Sequence, residues 1–149
     1  MSLNVMQILL ISSVVGSLLA FVLAWWPRRQ AVRYSLGLLA VAGLCGAAVS
    51  VNVAVQTTAG LLLPNTPLFY GMSFGLDVFS AIFYTLLSIV TMLTAAFAVA
   101  YFVSEPVTHK LRGVVSGLAA LVFGMQGVLL STNIFGFMTF WEIMSLVSF

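Results

Sequence analysis

Residues 5–26 read VMQILLISSVVGSLLAFVLAWW. No charged side chain interrupts the run. At about 1.5 Å per residue it is long enough to cross a hydrocarbon core of about 30 Å. The segment does not read as a secretory leader: no Lys or Arg precedes it, its apolar part exceeds a leader's, and it ends in Trp25-Trp26-Pro27 without a small-residue cleavage site. It reads as an uncleaved first span, with the two tryptophans in an interfacial belt.

Four more apolar segments follow, at about Tyr34–Gln56, Leu76–Val103 and Gly113–Leu130, with a fifth starting near Asn133 and running to Phe149. These runs are continuous, whereas strands of an outer-membrane barrel alternate polar and apolar residues in blocks of about ten. Composition agrees. Of 149 residues 62% are hydrophobic and only 5% are charged, against roughly 25% charged in a soluble domain. The expected fold class is all-α, a polytopic transmembrane bundle of about five spanning helices in a single domain.

The breaks between segments carry the residues that a spanning helix excludes. Pro27, Pro64, Pro67 and Pro106 all fall between spans, where a missing amide donor does no harm. Arg28, Arg29 and Arg33 separate spans one and two, and Lys110 and Arg112 separate spans three and four. Residues 57–75 and the turn at 131–133 contain no Lys or Arg. Basic short loops stay on the cytoplasmic side, so the chain is expected in a bacterial inner membrane with its N-terminus outside and both basic loops on the cytoplasmic side. Two small-residue faces suggest close helix packing in lipid: Ala40, Gly43 and Ala47 in span two, and Gly113, Gly117 and Gly124 in span four.

Several functions are excluded. A net charge of +2 without a dense basic run does not point to nucleic acid. Cys45 and His109 are the only residues of their kinds, too few for a disulfide, an iron–sulfur cluster or a structural zinc. Phosphate-binding glycine loops and nucleophile elbows are missing. The chain itself is expected to hold no metal or cofactor and to have no catalytic centre.

The informative polar residue is Glu142, in MTFWEIMSLVSF (138–149). It lies about nine residues into span five, or roughly 14 Å along it, where a charge costs about 2.5–3.5 kcal/mol on insertion scales. A carboxyl in such a place stays protonated or finds a cation, and a group balanced between those states relays protons. The plainer alternative is a protonated residue that hydrogen-bonds a neighbouring helix. Thr139 and Ser145, three residues to either side, are its candidate polar neighbours. The expected spans contain no Lys or Arg, so a cationic partner would come from another segment. Asp77, at the outer start of span three, reads as a helix cap. Glu105, His109 and Lys110 fall in the basic loop; His109 is a weaker candidate proton carrier. Gln126 reads as a helix–helix hydrogen bond and Cys45 as a small packed residue.

The stretch FWEIMSLVSF (140–149) resembles the fifth transmembrane helix of the antiporter-like subunits of complex I, Mrp-type antiporters and group-4 membrane-bound hydrogenases. GLDVFSAIFYTLLSIV (75–90) resembles the head of that family's third helix. The Met-Ser-Leu-x-Ser ending is most similar to the antiporter-like membrane subunits of the hydrogenase 4 and formate hydrogenlyase type. The resemblance implies a fold of about fourteen helices, of which these five would be the N-terminal part. It also implies a proton-channel role for Glu142 opposite a lysine on a later helix, with none of that later helix present here. Asp77 matches a recurrent position without a catalytic role. The implied setting is a non-redox subunit of an oxidoreductase complex, partnered by other membrane and peripheral subunits, with protons, or sodium as a second candidate, as the coupling ion. A short scaffold subunit, with Glu142 only as hydrogen-bonding glue, stays open as an alternative. A small independent transporter of the multidrug kind is a third reading, disfavoured by an odd number of spans.

Overall fold

The computed structural model describes residues 3–26, 29–56, 61–62, 72–102 and 108–148. Five helices follow in order: α1 (Leu3–Ala24), α2 (Arg29–Gln56), α3 (Val78–Phe102), α4 (His109–Leu130) and α5 (Ile134–Val147). Two short strands, β1 (Leu61–Leu62) and β2 (Gly75–Leu76), pair antiparallel, with Leu61 opposite Leu76. The fold is an all-α polytopic bundle. Helices α1 to α4 are each long and apolar enough to cross a membrane, because in lipid a helix satisfies its own backbone donors and acceptors. The chain is thus a multi-pass membrane protein. Helix α5 has 14 residues, about 21 Å at 1.5 Å per residue, which is shorter than the span expected there.

The helices outrun the apolar segments at their charged ends. Helix α2 begins at Arg29, not near Tyr34, and α4 begins at His109, not at Gly113. The backbone gains a hydrogen bond with each added residue, while long basic side chains reach back toward water. Arg33, Lys110 and Arg112 therefore lie inside helices rather than in loops. The prolines, Arg28, Glu105 and most of the 57–75 connection lie outside the described residues.

Three helices start on side-chain caps. The Thr108 hydroxyl accepts from Leu111 N at 3.3 Å, Asp77 Oδ1 from Ser80 N at 3.0 Å, and Asn133 Oδ1 from Gly136 N at 2.9 Å. Each fills one of the amide donors left open at a helix start.

Helices α1 to α4 close into a ring: α2 packs between α1 and α3, and α4 returns to α1 and, less extensively, to α3. Helix α5 packs on the outside, chiefly against α4. The end carrying the strands is sealed by Met6, Leu10, Leu61, Leu76 and Leu130. Ala20, Leu39, Ala95, Ala119 and Val122 form a second layer, and Ala24, Val32, Leu36, Leu111 and Val115 close the basic end. Trp25 and Trp26 are exposed there, as suits interfacial anchors.

The small residues act as expected in α2 and differently in α4. A Cβ on Gly43 would stand 2.9 Å from the Ser88 carbonyl oxygen of α3, so glycine permits the close α2–α3 approach. Gly113 and Gly117 meet open space. The working notch of α4 is Gly124 with Gly127. A Cβ on Gly124 would lie 3.3 Å from Met144 of α5, and one on Gly127 would run into the Phe140 ring. The face of α4 that packs closely is therefore nearer its strand end than the Gly113–Gly117 spacing suggests.

Candidate functional site

Glu142 belongs to α5, eight residues beyond its first, about 12 Å along the axis. Its height follows from its neighbours. Phe140 fills the space over Gly127 and Met144 that over Gly124, so Glu142 is level with the middle of that notch. Phe140 is anchored by edge-to-face contacts with Phe123 at 5.6 Å and Phe74 at 5.9 Å. At about 100° per residue, Glu142 falls on the side of α5 opposite Phe140 and Met144. It is exposed there, among exposed Phe135, Met138 and Leu146.

The carboxylate therefore faces away from the bundle, on an apolar outer surface. Among the described residues no hydrogen bond or ion pair engages it. Thr139 and Ser145 flank it on the same helix, both half-buried. The Thr139 hydroxyl donates to the Phe135 carbonyl at 2.9 Å and is satisfied within the helix. His109 is exposed at the first turn of α4, about 25 Å along that helix from the level of Glu142. The structure keeps Thr139 and Ser145 beside Glu142 and sets His109 at the opposite end.

Asp77 caps α3. The Ser80 hydroxyl and then the Ser80 backbone N–H hold its carboxyl below the ordinary value. It borders an open cleft of about 510 Å³ with Leu62, Ser80, Ser131 and Thr132. A second groove, about 360 Å³ and almost wholly apolar, runs between α3, α4 and α5, with Phe83, Val90, Met125, Trp141 and Met144 along it. Among the described residues no three His, Cys, Asp or Glu side chains come together as a metal site.

On the other side of α4 from Glu142 is a buried polar layer. Gln126 bridges to α1, its Oε1 accepting from Ser17 Oγ at 2.8 Å and its Nε2 donating to Ser13 Oγ at 3.2 Å. Ser13 donates in turn to the Ala42 carbonyl of α2 at 2.7 Å and accepts from the Tyr84 hydroxyl of α3 at 3.3 Å. One serine hydroxyl thus uses its proton and both lone pairs to tie four helices together. Thr85 and Ser50 extend the layer with a 2.8 Å pair between α3 and α2. Ser88 and Thr91 are buried further along α3 without a partner among the described residues.

Of this layer, sequence reasoning singles out Gln126 alone. The available signal was spacing: Ser13 and Ser17 lie four apart, and Tyr84, Ser88 and Thr91 lie four and three apart, each set on one helix face.

No protein-family model matches the chain, and no curated protein matches it either.

Proposed function

We propose that this chain is part of an antiporter-like, proton-translocating membrane subunit of a respiratory-type oxidoreductase, such as a membrane-bound hydrogenase or NADH:quinone oxidoreductase, with Glu142 as its intramembrane relay carboxylate. The observation that carries the reading is the direction of Glu142. It leaves an apolar helix level with the Gly124–Gly127 notch of α4, itself a helix long and apolar enough to cross a membrane, and faces outward, away from every helix described. A carboxylate so placed is costly unless a further segment meets it.

The mechanism is electrostatic. A cation brought beside the carboxylate favours its ionised form, and withdrawal of that cation favours uptake of a proton. The chemistry needs no redox group in this chain, because the driving reaction belongs to neighbouring subunits. Glu142→Gln in the complete complex is expected to lower proton translocation by about a hundredfold or more, the range for a lost proton-transfer group, while assembly stays intact. Wild-type translocation by that variant would overturn the relay.

The scaffold reading draws on the same exposed face, with Phe135, Met138 and Leu146 as the docking surface and Glu142 as a hydrogen-bonding residue within it. Under that reading Glu142→Gln is silent and Glu142→Leu weakens assembly.

A further inference from the structure

The polar layer and the exposed carboxylate belong to opposite sides of one helix. Gly124 and Gly127 bracket Gln126 in sequence and form the notch that receives α5. At about 100° per residue, Gln126 lies about 160° around α4 from Gly124 and about 100° from Gly127, so it points away from the notch. Gln126 is 2% exposed and bonded to two serines of α1. The notch holds Phe140 and Met144, which bracket Glu142 on α5. Three pairs of residues, one on each of three helices, thus fall at one depth.

We propose that Gln126 is a positioning residue for Glu142: its two hydrogen bonds to Ser13 and Ser17 fix the rotation and height of α4, and the Gly124–Gly127 notch passes that setting to α5. This inference rests on the relay reading of Glu142. A helix with an apolar core face can rotate or slide among similar packings, since lipid contacts hardly discriminate between them. A two-point amide bridge on α1 removes that freedom, because any turn of α4 strands a buried donor and acceptor. Helix α5 has chiefly α4 to lean on, so an error in α4 carries straight to the carboxylate. A shift in depth or heading changes both the solvation of the carboxyl and its distance to whatever meets it.

The test is the rate at which a hydrophobic carbodiimide modifies Glu142 in the full chain in its native membrane, read at that residue by peptide mass mapping. Gln126→Met keeps the side-chain length and removes both bonds. It is expected to change the rate by about fivefold, the equivalent of about one hydrogen bond. Gln126→Glu, whose protonated carboxyl can donate to Ser13 and accept from Ser17, should restore the wild-type rate. Ser35→Ala removes a comparable α2–α1 bond, to the Ala20 carbonyl of the second layer, and should leave Glu142 unchanged. If Gln126→Met prevents folding, Ser17→Ala, which deletes one of the two bonds to Gln126, gives a smaller change in the same direction. An unchanged rate in a folded Gln126→Met or Ser17→Ala chain overturns the proposal, as does a change in Ser35→Ala of the same size. Wild-type translocation by Glu142→Gln would instead overturn the relay, whatever the labelling shows.

Discussion

Gln126 and Glu142 differ in sequence chemistry by one charge and lie at the same height on neighbouring helices, yet the protein treats them in opposite ways. Gln126 is turned inward, and both ends of its amide are satisfied by α1. Glu142 is turned outward, onto a surface of Phe135, Met138 and Leu146. A neutral amide makes its two bonds without any cost of burying charge, so it serves to hold helices together. Among the described residues no hydrogen bond or ion pair engages Glu142. Under the proposed function its partner is a group outside these helices.

The comparison can be broken in several places. The largest expected effect is functional: Glu142→Gln abolishes most translocation, as measured by proton uptake into vesicles containing the complete complex, and leaves helix packing unchanged. Next is Gly127→Ala. Its methyl collides with Phe140, and overpacking of this kind costs about 1–3 kcal/mol. Thermal unfolding in detergent should show the loss, whereas Gly117→Ala, with open space around it, should be neutral or slightly stabilising. Gln126→Leu is expected to cost about 1–2 kcal/mol for two bonds inside a membrane bundle. A cost matched by Glu142→Leu would erase the contrast between the two residues.

The smallest effect concerns Asp77. Its folded-state carboxyl is held below the ordinary value of 3.8 by the Ser80 hydroxyl and backbone N–H. The ionised form is therefore favoured by folding. That contribution is complete above the unfolded value and fades as the pH falls through the folded one. Asp77→Asn keeps the cap but should flatten the acid side of the stability profile below about pH 4. Because Asp77 is exposed, the flattening should be slight.

How far the sequence is legible differs between the same two sites. Glu142 stands out because it is the only charge in its apolar run, and one residue of context suffices to show its cost. Ser13, Ser17 and Tyr84 do not stand out. Serine and tyrosine are ordinary in membrane helices, and their worth here depends on distant partners: the serines meet Gln126 from more than a hundred residues away, and Tyr84 meets Ser13. The glycines of α4 show the same limit. Gly113, Gly117, Gly124 and Gly127 are alike as letters, and only the position of α5 separates the two that pack from the two that do not.

The sequence by itself determined that this is a multi-pass helical membrane protein, where its helices run to within a turn or two, and that Glu142 is anomalous. Those follow from hydropathy and local backbone satisfaction, which are sums over neighbouring residues. Tertiary structure alone decided that the first four helices close into a ring, that Gln126 faces in while Glu142 faces out, and that one notch on α4 links their heights. These depend on helix rotation and on partners distant in the chain. A run of apolar letters leaves both open, because lipid accepts almost any face that the neighbouring helices do not claim.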